Sequence, residues 1–73
     1  MADLRVLREV VTPELRVGDQ VAWQGEHREV VELHDTGTPA LYGEGSAWQI
    51  TLRRPTGEDV PMQAAASKRW TRV

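Results

Sequence analysis

The sequence predicts an all-β fold, a small antiparallel barrel of about five short strands with one helical or 3-10 turn before the last strand. Three observations carry this reading. Apolar and polar residues alternate at period two, most clearly where Trp48, Ile50 and Leu52 interleave with Gln49, Thr51 and Arg53. Turn-forming clusters of Gly, Pro and Asp recur at roughly ten-residue spacing, too close for helices of ordinary length. The chain has 73 residues and no cysteine, so packing alone must stabilise it, and a closed barrel buries apolar side chains while removing exposed strand edges.

The elements follow in order. Leu4, Leu7 and Val11 fall at helical spacing, but Val6, Val10, Val11 and Thr12 favour a strand, and Pro13 ends the segment either way. A strand is the reading adopted. Residues 1–13 are then an N-terminal strand or extension, and residues 14–73 the barrel, within one domain spanning 1–73. Glu14 to Asp19 reads as a turn into a strand from Gln20 to Gln24, where Val21 and Trp23 share a face. Gly25-Glu26-His27 reads as a tight hairpin connection into a strand from Arg28 to His34, with Val31 and Leu33 inward and Val30 shared or at a barrel corner.

Asp35 to Ser46, with three Gly and one Pro in twelve residues, reads as the one long loop. Ala47 to Arg54 is the clearest strand. Pro55-Thr56-Gly57-Glu58 is a turn, and Val60 and Met62 resume the alternation across Asp59 to Ala64. Ala65 to Val73 is too short for a helix without packing support, so one helical or 3-10 turn and a closing strand are expected. No internal repeat is present. The expected core is Val21, Trp23, Val31, Leu33, Trp48, Ile50, Leu52, Val60, Met62 and Trp70.

The run Val17-Gly18-Asp19-Gln20-Val21, then Gly25, Val30-Val31-Glu32-Leu33, Ile50-Thr51-Leu52 and Gly57-Glu58, resembles the Src-homology-3-like small barrels of the KOW and Tudor-like groups. The resemblance covers residues 15 to 73. It extends to small accessory proteins of actinobacteria, their phages and mobile elements. It implies a five-stranded barrel and a binding role. The chain departs from peptide-binding members in lacking an acidic loop beside clustered aromatics, and from basic nucleic-acid-binding members in its net charge of −2. Fold analogy therefore leaves the ligand open.

Chemistry narrows the classes further. Without cysteine there are neither disulfides nor cysteine-ligated zinc. No apolar run reaches the length of a membrane span, and the acids Asp3 and Glu9 interrupt the N-terminus, so a soluble cytoplasmic protein is expected. His27 and His34, with Glu26, Glu29 and Asp35 nearby, lack metal-ligand spacing, and no metal or other cofactor is assigned. Ser46 and Ser67, the two serines, are not in a nucleophile context, and Gly43-Glu44-Gly45-Ser46 lacks the Gly-Lys-Ser/Thr ending of a phosphate loop. No catalytic residue is assigned, and an enzyme is not expected.

Two binding readings remain. Residues 1–46 carry a balance of −5 and residues 47–73 a balance of +3. Arg53, Arg54, Lys68, Arg69 and Arg72 would make a phosphate-binding patch if the fold gathered them, with Trp70 available to stack a base. Leu41 and Tyr42 are large apolar residues in a loop otherwise built of turn formers, either a lid over the barrel mouth or contacts for a partner. The first expectation is a non-catalytic interaction or adaptor module that binds a protein partner through Leu41 and Tyr42. The alternative is a nucleic-acid-binding accessory protein using the basic set.

Overall fold

A computed structural model describes residues 8–73. It is all-β. Six strands, β1 (Arg8–Val11), β2 (Gln20–Trp23), β3 (Glu26–Pro39), β4 (Ser46–Arg53), β5 (Asp59–Ala65) and β6 (Arg69–Arg72), form one antiparallel sheet in the order β1-β6-β2-β3-β4-β5. The sixth strand is β1, the N-terminal segment read as strand; the part of that segment before Arg8 lies outside the described residues. β2 to β5 run as a meander, and β6 returns to pair with β2 on one side and β1 on the other. No ladder joins β1 to β5 among the described residues. Both ends of the sheet nevertheless feed one core, with Val10 of β1 and Ala64 of β5 clustered with Leu15, Val21, Val30, Ile50, Leu52 and Trp70. No described helix is long and apolar enough to cross a membrane.

The turns differ from expectation in informative ways. The 3-10 turn lies at Thr12–Glu14, where the Val11 N–H donates to the Glu14 carboxylate at 3.0 Å and Pro13 supplies a preset φ. Before β6 there is instead a β-turn, closed by the Lys68 N–H on the Ala65 carbonyl (3.0 Å). The β2–β3 connection is Gln24-Gly25 rather than Gly25-Glu26-His27. Both residues have positive φ (51° and 80°), the pair of angles that matches strand twist in a two-residue hairpin. Pro61 sits in β5, an edge strand, where its missing N–H costs no ladder bond.

The largest correction concerns β3. It does not end at His34 but runs on to Pro39, so the twelve-residue loop shrinks to residues 40–45. Asp35 to Pro39 form an irregular extension. The Asp35 carboxylate accepts from the Gly37 N–H (2.9 Å), and the Thr36 hydroxyl donates to the Ala47 carbonyl (2.7 Å). Those side-chain bonds replace ladder bonds at a register shift between Asp35 and Pro39.

A second shift lies between Val30 and Glu32 and leaves Val31 as the extra residue of a bulge. The alternation changes phase there, so Val30 and not Val31 is fully buried, while Leu33 packs half-buried against the core. Of the expected core, Val21, Ile50, Leu52 and Trp70 are buried; Trp23, Trp48, Val60 and Met62 are half-buried. Trp23 leans on Trp70 with ring centroids 5.2 Å apart.

Candidate interaction surface at the hairpin tip

The β3–β4 tip is held through its backbone. Gly43 and Gly45 both have positive φ (95° and 85°). A Cβ on Gly43 would lie 2.7 Å from the Ala65 Cβ, and one on Gly45 2.9 Å from the Ala66 Cβ, so only glycine lets the tip approach the β5–β6 turn this closely. Hydrogen bonds fasten the approach. The Glu44 N–H donates to the Ser67 hydroxyl (2.9 Å), the Ser67 N–H to the Glu44 carbonyl (3.2 Å), and the Ala66 N–H to the Ser46 carbonyl (2.8 Å). Within the tip, the Ala40 N–H donates to the Gly45 carbonyl (3.0 Å).

This anchoring directs the side chains outward. Leu41 is 91% exposed and Tyr42 89% exposed. The lid alternative is thereby corrected: neither side chain folds back into the core. They form one wall of a shallow groove of about 140 Å³, with Ala47, Ala64 and Ala65 as its small-residue floor and Gln63 at its side. Typical small-molecule sites hold roughly 300 Å³ or more, whereas a groove of this size takes one apolar side chain.

The basic residues are distributed differently. Arg53 makes a two-pronged pair with Asp59 (2.7 and 3.1 Å). Arg54 bonds Glu26 (2.7 Å) and Glu58 (3.2 Å), and Glu26 also holds the nearly buried Arg28 (2.9 Å). Arg69 faces Glu9 at 3.4 Å and Arg72 faces Asp19 at 3.7 Å. The Lys68 ammonium lies over the rings of Trp23 and Trp70, at 4.6 and 4.8 Å from their centroids. The fold thus gives every member of the set an acidic or aromatic partner. A second concavity of about 430 Å³ beside Arg53 and Arg54 also contains Glu29 and His27, so it mixes both signs of charge with imidazole.

The ion pairs shift their carboxylates. The Arg54 guanidinium, with a smaller contribution from Arg28, holds Glu26 below the usual carboxylate range; Arg53 does the same to Asp59. The Gly37 N–H, aided by Ser46, lowers Asp35. His27 and His34 are seven residues apart on β3, roughly 23 Å along an extended strand, and among the described residues no three His, Asp or Glu side chains cluster as metal ligands would.

Sequence reasoning singled out Leu41 and Tyr42 because apolar residues are out of place among turn formers. It missed the alanine floor, since Ala47 and Ala64 read as ordinary strand residues and Ala65 as the start of the turn before the closing strand, whereas Ala65 belongs to β5. Comparison with protein-family models and with curated proteins finds no match to this sequence.

Proposed function

We propose that this chain is a non-catalytic interaction module that binds a protein partner at the β3–β4 tip, with Leu41 and Tyr42 as its contacts. One observation carries the reading: two large apolar side chains are kept about nine-tenths in water by a loop whose backbone is hydrogen-bonded and glycine-fitted to the rest of the fold. Slack would leave the backbone free, and a lid would bury the side chains. A rigid exposed apolar pair beside a groove of side-chain size is the arrangement in which little conformational entropy is lost on docking. The Src-homology-3-like resemblance belongs to the same proposal, supported by a meander whose first strand takes the returning last strand as neighbour.

Binding to nucleic acid is the weaker reading, because a phosphate would have to displace a carboxylate from Arg53, Arg54, Arg69 or Arg72, or Lys68 from its two indoles. A photo-crosslinking experiment separates the two. Replacing Tyr42 with p-benzoylphenylalanine in host extract should yield protein adducts, whereas the same substitution at Val17, exposed in the turn before β2, should not. Nucleic-acid adducts, or equal adducts at both positions, would overturn the proposal.

A further inference from the structure

We infer that the partner presented to the tip is a basic peptide segment, one carrying Lys or Arg on either side of an apolar anchor; the inference rests on the reading of Leu41 and Tyr42 as contacts. From Glu29 to Leu52 the chain holds the acids Glu29, Glu32, Asp35 and Glu44 and neither Lys nor Arg, and from Val60 to Ser67 it holds no charged residue at all. Those two stretches are the tip half of the β3–β4 hairpin, beyond Arg28 and Arg53, and β5 after Asp59 up to the Lys68 that closes its turn, so the bias in sequence becomes a bias in space at the tip.

The outward side of these strands shows it directly. Rows of cross-strand neighbours run Glu32–Thr51–Pro61 and His34–Gln49–Gln63, and Gln63 lines the groove together with Leu41 and Tyr42. Glu32 is exposed and accepts from the Thr51 hydroxyl at 2.8 Å; Glu44 is exposed on the tip between the two anchoring glycines. Among the described residues neither Glu32 nor Glu44 has a basic side chain at ion-pair distance. From Ser46 to Thr51 is about 17 Å at strand rise, which an extended peptide of five or six residues covers. An apolar side chain in the groove would leave flanking residues near Glu44 at one end and Glu32 at the other.

A second copy fits this surface poorly. A two-fold pairing of tips sets acid against acid, and among the described residues a head-to-tail pairing would find only Arg8 and Arg16 outside the internal ion pairs and the Lys68–indole contacts. An anionic lipid surface is repelled for the same reason.

Selection of a phage-displayed library of random twelve-residue peptides tests the inference. The full chain and its Leu41→Ser/Tyr42→Ser variant serve as parallel baits, and enriched peptides are measured by fluorescence anisotropy at low and high salt. The expected peptides carry net positive charge around an apolar residue and lose binding to the double variant. They weaken on added salt, and roughly two- to five-fold on Glu44→Gln or Glu32→Gln. Neutral or acidic peptides that still depend on Leu41 and Tyr42 would overturn the basic partner and leave the docking surface standing. Peptides that bind the double variant equally well, or a selection without enrichment, would overturn both. A concentration-dependent dimer lost in the double variant would overturn the inference in favour of a second copy.

Discussion

The indole N–H of Trp70 donates to the Thr12 hydroxyl at 2.9 Å, and that hydroxyl donates in turn to the Ala65 carbonyl at 2.8 Å. Thr12 is fully buried and 58 residues from Trp70 in sequence. Through this one side chain the segment after β1 is bonded to both β5 and β6, at the place where no ladder joins the two ends of the sheet. Thr12→Val keeps the shape but orphans the buried Trp70 N–H, while the Ala65 carbonyl loses one donor and keeps the Lys68 N–H. It should destabilise the protein by about 1–3 kcal/mol in urea unfolding, with Thr12→Ser milder. Equal midpoints for wild type and Thr12→Val would show that the network does not hold the ends together.

Ile50 has no exposed surface, while Gln49 lies on the outward side of the same strand. Ile50→Ala should therefore leave a cavity costing about 2–5 kcal/mol, and Gln49→Ala well under 1 kcal/mol. Similar losses for the two variants would contradict the facing of β4.

Residues with strong local patterns were legible and residues placed by distant partners were not. Ile50 and Leu52 declare their strand by alternation, and Pro55 to Gly57 declare their turn. Val31 misleads because a bulge shifts the phase, and nothing in Val30-Val31-Glu32 marks which residue is extra. Asp35 to Pro39 read as loop because their bonds come from Asp35 and Thr36 side chains, not from strand alternation. At the candidate site, Leu41 and Tyr42 stood out by composition. The pairing of Arg53 with Asp59 and of Arg54 with Glu26 depends on cross-strand register, which charge counts along the chain do not reveal.

Close packing at the tip gives a paired test. Gly43 and Gly57 have nearly the same φ, 95° and 93°, so the backbone conformation disfavours an alanine similarly at either. They differ in surroundings: a Cβ at Gly43 meets Ala65 at 2.7 Å, whereas at Gly57 nothing lies within 4 Å. Gly57→Ala should cost about 1–2 kcal/mol, and Gly43→Ala a further 1–3 kcal/mol, roughly the cost of overpacking. Equal costs in chemical denaturation would mean that the tip is not seated on the β5–β6 turn.

Acid should weaken the fold. Glu26, Asp59 and Asp35 all titrate below their ordinary values of 4.5, 3.8 and 3.8 when folded. In acid the unfolded chain therefore binds more protons than the folded one. The stabilisation is fully present above those ordinary values and is lost as pH falls through the lowered ones. Urea midpoints measured from pH 7 down to pH 3, values chosen to bracket roughly the carboxylate range, should decline at the acid end. Glu26→Gln should begin less stable and decline less. An undiminished acid response in that variant would remove Glu26 as a contributor.

If Leu41 and Tyr42 serve a partner and not the fold, Leu41→Ser/Tyr42→Ser should separate melting from capture when both are measured on the same preparation. Both side chains are about nine-tenths exposed, so the melting temperature should stay within the small range of ordinary surface changes, roughly 0.5 kcal/mol in stability. Capture of the protein crosslinked at position 42 should disappear. A large fall in melting temperature, or capture that survives both substitutions, would contradict the account.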